Sequence, residues 1–124
     1  MGKKIVTNNS LIVDAYSSEC PVVFVEEMDV LSVLQKACTL VCDNHDLLSH
    51  PLSGSLKSNQ TPFKTIVLDD ETPTRPESIE CIMKAIRAVE DFGIVSSPQT
   101  WPSNIIHDFK LIDKSFVDGG FYRQ

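Results

Sequence analysis

The chain has 124 residues, 42% apolar and 23% charged, with 17 acidic and 11 basic residues giving a formal net charge of −6. That length carries one domain with one core, and the composition is ordinary for a globular protein. The acidic balance argues against nucleic acid, whose phosphates need a basic face, and no apolar run reaches bilayer length, so neither nucleic acid nor a membrane is expected as a partner.

Lys3-Lys4-Ile5-Val6 reads as a first strand, ended by Thr7-Asn8-Asn9. Only Ile5 and Val6 follow the two lysines before that polar triplet, so no signal peptide is expected and the protein is read as cytoplasmic. Gly2 raises myristoylation, but Val6 stands where Ser or Thr is required. Asn9 suits the cap of a first helix with Leu11, Ile12, Ala15 and Tyr16 on its apolar face. Val22-Val23-Phe24-Val25 is a short unalternated run, the pattern of a strand covered on both faces.

Val30, Leu34, Ala37, Cys38 and Val41 recur at helical spacing, with Asp29 at the start answering the helix dipole and Asp43-Asn44 at the end. Leu47-Leu48 begins a third strand. Phe63 to Leu68 reads as a fourth, left open between a parallel crossover and an antiparallel return. Thr74-Arg75-Pro76-Glu77 has the form of a capping box, and the helix behind it turns Ile79, Ile82, Met83, Ile86, Val89 and Phe92 inwards until Gly93 stops it. Residues 93–102 form a linker around Trp101. From Ser103 the positions Ile105, Phe109, Ile112 and Phe116 describe a last amphipathic helix to about Val117, and residues 118–124 read as a mobile tail after Gly119-Gly120.

The expected architecture is therefore α/β: a single three-layer domain over residues 1–124, with a small, mainly parallel sheet of about four strands flanked by helices. The four cysteines, at 20, 38, 42 and 81, form no C-x-x-C pair and read as buried thiols; Cys42, His45 and His50 match no zinc spacing.

Chemistry concentrates between the third and fourth strands. None of the sixteen residues from Ser49 to Lys64 is acidic, although acids outnumber bases in the whole chain. Pro51 holds His50 extended, Ser53-Gly54-Ser55 offers hydroxyls around a glycine as a phosphate cradle does, and Lys57 and Lys64 are the charges. Ser, Gly, Asn, Thr and Pro are also ordinary turn formers, yet a loop this long in a small domain is more often functional than filler. Ligands gather outside the carboxyl ends of parallel strands, which brings Asn8 and Asn9 to the same rim. An antiparallel fourth strand adds Asn59, Thr61 and Lys64 there; a parallel one brings Asp69 and Asp70 instead.

The residues Thr7-Asn8-Asn9, then His50-Pro51-Leu52-Ser53-Gly54-Ser55, Lys57, Asn59 and Thr61-Pro62, resemble the GrdX family, small proteins encoded with the glycine, sarcosine and betaine reductase systems of anaerobic bacteria. The resemblance covers most of residues 3 to 92. Ser49 stands where the family commonly has threonine, Ser58 where it has proline, Gln60 where it has glutamate and Phe63 where it has tyrosine. It implies a context of amino-acid reduction and an accessory role, and it implies no reaction.

The expected ligand-binding set is Asn8, Asn9, His50, Ser53, Gly54, Ser55, Lys57, Asn59, Thr61 and Lys64, holding a small anionic or zwitterionic metabolite. No catalytic residue, metal or cofactor is assigned: Walker and G-x-G-x-x-G patterns are absent, as is a G-x-S-x-G elbow. Two other readings stand beside it. One is a small enzyme using His50 as acid or base. The other is an interaction module that meets reductase components, or a second copy in a homodimer, through the last helix or Trp101.

Overall fold

The computed structural model describes residues 2–49, 61–92 and 101–120. In chain order they form β1 (Lys3–Thr7), α1 (Ser10–Tyr16), β2 (Val22–Phe24), α2 (Val30–Val41), β3 (Asp46–Leu47), β4 (Thr65–Asp69), α3 (Pro76–Phe92) and α4 (Ser103–Gly120).

Local chemistry sets most helix ends. The Asn9 side chain accepts the Leu11 N–H at 3.1 Å to start α1, and Asp29 accepts the Ser32 N–H at 2.6 Å to start α2. Beyond α2, Asn44 adopts a left-handed φ of 60°, a conformation asparagine tolerates better than most residues. Pro76 opens α3, where its missing N–H does no harm. The capping box does not form: the Thr74 hydroxyl donates to the Val41 carbonyl at 2.6 Å. Asp46 of β3 caps α3 from outside, accepting from the Ser78 hydroxyl at 2.5 Å and from Arg75 Nε at 2.9 Å.

The sheet order is β2-β1-β4-β3. β1 pairs parallel with β2, while β4 pairs antiparallel with both β1 and β3. Strands β1, β2 and β3 thus share one direction and β4 runs against them, so the small α/β sheet is mixed rather than mainly parallel in its pairings. Strand alternation sends Ile5 and Val67 to one face and Val6, Ile66 and Leu68 to the other. The first face packs against Ile12 and Tyr16 of α1 and Val117 of α4. The second packs against Val30, Val33, Leu34, Ala37 and Val41 of α2 and Ile82, Ala85 and Val89 of α3. Three layers result, each buried aliphatic side chain contributing about 1.5–3 kcal/mol.

The inner faces of α3 and α4 both depart from the apolar stripe: α3 turns only part of it inwards, Ile82, Ile86 and Val89, and α4 turns a different one. On α3, Ile79 and Met83 face solvent. On α4, Ile105, Ile112 and Phe116 are 39%, 37% and 42% exposed, and the neighbouring stripe Ile106, Lys110, Asp113 and Val117 turns inwards. The helix is rotated by one position because the end of the sheet presents polar donors, which Asp113 and the Lys110 carbonyl satisfy. α4 also continues through Gly119 to Gly120, and Tyr16 donates to Asp118 at 2.5 Å. Cys42 is exposed, while Cys20, Cys38 and Cys81 are half-buried; all four are free thiols. Among the described residues no helix is long and apolar enough to cross a membrane.

Candidate functional site

The antiparallel register places Thr7 opposite Thr65, so the end of β1 and the start of β4 form one rim. β3 leads to the same rim: Leu48 and Ser49 donate their N–H groups to the Val67 carbonyl, and Ser49 Oγ accepts the Val67 N–H at 2.9 Å. The acid-free segment therefore leaves from Ser49 and re-enters at Thr61 beside Asn8 and Asn9, and Asp69 and Asp70 lie at the far end of β4. Of the expected ligand set, Asn8, Asn9, Thr61 and Lys64 meet here. His50, Ser53, Gly54, Ser55, Lys57 and Asn59 lie outside the described residues.

Asn8 is buried and its amide is engaged with backbone. Nδ2 donates to the Pro62 carbonyl at 2.7 Å and to the Glu27 carbonyl at 3.1 Å, and Oδ1 accepts the Lys64 N–H at 3.0 Å. It ties the strand exit, the turn before α2 and the approach to β4 into one piece. Asn9, besides capping α1, donates through Nδ2 to the Lys110 carbonyl at 2.9 Å and to Asp113 Oδ2 at 3.0 Å. Thr61 Oγ1 accepts the Phe63 N–H at 3.2 Å, a local turn that aims Phe63 into the core.

A directed chain of bonds crosses the rim. Thr65 donates to Asp113 Oδ2 at 2.7 Å, which leaves Thr7 as donor in the 2.8 Å contact between the two hydroxyls, while Thr7 Oγ1 accepts the Asn9 N–H at 3.0 Å. Burial pushes the Asp113 carboxyl above the ordinary carboxylate range, against the bonds from Asn9 and Thr65 and the charge of Lys64. Burial likewise drives the Lys64 ammonium down to about 8, with Asp113 opposing the shift. One turn before Asp113, Lys110 Nζ lies 3.0 Å from Ser10 Oγ and 5.5 Å above the centre of the Phe63 ring, a cation–π distance. An open cleft of about 540 Å³ borders it, lined among the described residues by Ser103, Asn104, Ile106, His107 and Lys110.

A family model described as GrdX-like protein matches residues 4–121. The chain belongs to the GrdX-like protein family. No curated protein and no solved structure matches it. The family match extends past residue 92 and takes in α4. Sequence reasoning missed Asp113, Lys110, Thr65 and Ser10 at this rim. A signal existed for the first two: they sit at i+4 and i+7 from Ile106, with Val117 at i+11, a second stripe beside the more apolar one.

Proposed function

We propose that this GrdX-like protein is a non-catalytic accessory protein of glycine and betaine reductase metabolism that holds a small anionic or zwitterionic metabolite at the 49–64 loop. The observation that carries the reading is Lys64: a half-buried lysine whose ammonium burial pushes down to about 8, where the acid-free segment re-enters the sheet. A lysine whose proton affinity is shifted by burial beside a charged neighbour, at the rim of a sheet, marks a candidate site. Lys110, the Ser10 and Thr65 hydroxyls and the adjoining cleft supply further groups suited to a carboxylate or phosphate. The reductase context rests on the family name. Titration of the protein with glycine, phosphate and acetyl phosphate should raise its melting temperature progressively with at least one of them. No shift with any of them at millimolar concentration overturns the reading.

A second reading is favoured by the outer side of α4, where Ile105, Ile112 and Phe116 are exposed and Phe109 is half-buried against Trp101. Ile105, Phe109, Ile112 and Phe116 are spaced 4, 3 and 4 residues apart, an order that is the same in both chain directions. Two copies packed antiparallel about a two-fold axis set Ile105 against Phe116 and Phe109 against Ile112, so we propose this face as a homodimer contact. Sedimentation should show a dimer that Ile112→Asp with Phe116→Asp converts to monomer without lowering the melting temperature of the monomeric fold. A wild-type protein that stays monomeric at high micromolar concentration rules the contact out.

A further inference from the structure

We infer that the rim is a two-pole site, selective for a small zwitterion whose nitrogen carries N–H protons, with Asp113 receiving the ammonium and Lys64 and Lys110 the carboxylate. The inference rests on the metabolite-binding reading above and narrows its ligand class.

Asp113 is the group that makes the site discriminating. Its two protein bonds, from Asn9 Nδ2 and Thr65 Oγ1, both fall on Oδ2. Oδ1 receives neither. Among the described residues no buried side-chain nitrogen or oxygen lacks a partner, so Oδ1, which carries neither bond, keeps some solvent access. A carboxylate with one oxygen fixed by two donors and the other open is an oriented acceptor for an ammonium N–H. The fixing donors come from β4 and from the cap of α1.

The opposite pole is close by. Lys64 is near enough to Asp113 for each charge to act on the other's proton affinity. The Lys110 carbonyl shares Asn9 Nδ2 with Asp113, and its ammonium reaches over Phe63 toward Ser10 at the edge of the cleft. Lys110 and Asp113 stand three positions apart on α4, about one turn, so charges of both signs border the same rim.

Each competing ligand meets a specific obstacle. A bare anion such as acetate gains the lysines but brings its charge up to the Asp113 carboxylate, a like-charge contact. A quaternary ammonium carboxylate has the right charges but no N–H to give Oδ1, and three methyl groups in the way. The expected order is glycine ahead of both acetate and trimethylglycine.

Calorimetric titration of the wild-type protein with glycine, acetate, trimethylglycine and phosphate tests this directly. Glycine should bind at least about tenfold more tightly than acetate or trimethylglycine, the factor that one charge-assisted hydrogen bond commands. Asp113→Asn, which keeps the shape and an oxygen for Thr65 but removes the charge, should weaken glycine and spare acetate. Acetate or trimethylglycine binding as tightly as glycine overturns the inference while leaving the broader metabolite reading in place, as does binding of phosphate alone. Binding by none of the four overturns both. Because the ranking is read on the wild-type chain, the test stands even where the variant fails to fold.

Discussion

Burial of the Lys64 ammonium weakens its hold on its proton, to a pKa of about 8 against an ordinary 10.5, with the Asp113 charge pulling the other way. Between those values the unfolded chain carries a proton that the folded chain lacks, so this residue makes stability rise with pH from about 8 to 10.5, and its full penalty applies below 8. Lys64→Met removes the penalty. Urea unfolding at pH 7 should find the variant more stable than wild type by on the order of 1–3 kcal/mol, with the gap narrowing by pH 10. A variant less stable at pH 7 means that attraction to Asp113 outweighs the burial. The sequence marks Lys64 as one of two lysines in an acid-free segment, but its burial and its nearness to Asp113 of α4 come from the fold. Asn8 teaches the complementary lesson. Its residue type suggested a ligand-facing amide, yet Nδ2 and Oδ1 are bonded to Pro62, Glu27 and Lys64, so it shapes the rim rather than facing it.

Two buried or half-buried carboxylates join elements that are distant in sequence, and both escaped pattern reading for the same reason. Asp46 looks like a loop residue after α2, yet it caps α3 through Ser78 and Arg75. Burial works against its charged form, but the bonds from Ser78 and Arg75 and the Arg75 charge prevail, so its carboxyl stays below the usual range. That depressed value means its contribution is complete above the ordinary aspartate pKa and is lost as pH falls through the folded value. Asp46→Ala should cost about 2–4 kcal/mol at pH 7, because the Ser78 hydroxyl and the helix start lose their acceptor, and much less at pH 2; urea unfolding at the two pH values reads the difference. Asp113 plays the corresponding part for α4. The amphipathic pattern of α4 identified a helix correctly and its inner face wrongly. A pattern reports which side is more apolar, whereas docking is decided by what the partner surface needs, here acceptors for Asn9 and Thr65.

For the molecule as a whole, α4 is a structural layer as well as an outward surface. It covers the sheet face formed by Ile5 and Val67 together with α1, contributing Val117 and the bond from Tyr16 to Asp118. A chain ending at residue 92 should therefore melt well below the full chain and bind a hydrophobic dye, as a protein with an uncovered core face does. A truncated chain with an unchanged melt shows α4 to be dispensable. Length, composition and local periodicity were enough to recognise an α/β domain of three layers and the strands and helices seen among the described residues, because those features depend on neighbours within a turn or a strand; the common direction of β1, β2 and β3 followed from the helical crossovers between them. Turn chemistry and charge marked the 49–64 segment for the same local reason. The tertiary structure alone decided that β4 runs antiparallel, which brings Thr61 and Lys64 to the rim and takes Asp69 away from it. It also decided which side of α4 faces the sheet, and so brought Asp113 to Asn9 across a separation of 104 positions. Such contacts follow from unpaired polar groups at the end of one element seeking partners on another, a demand that no single stretch of sequence displays.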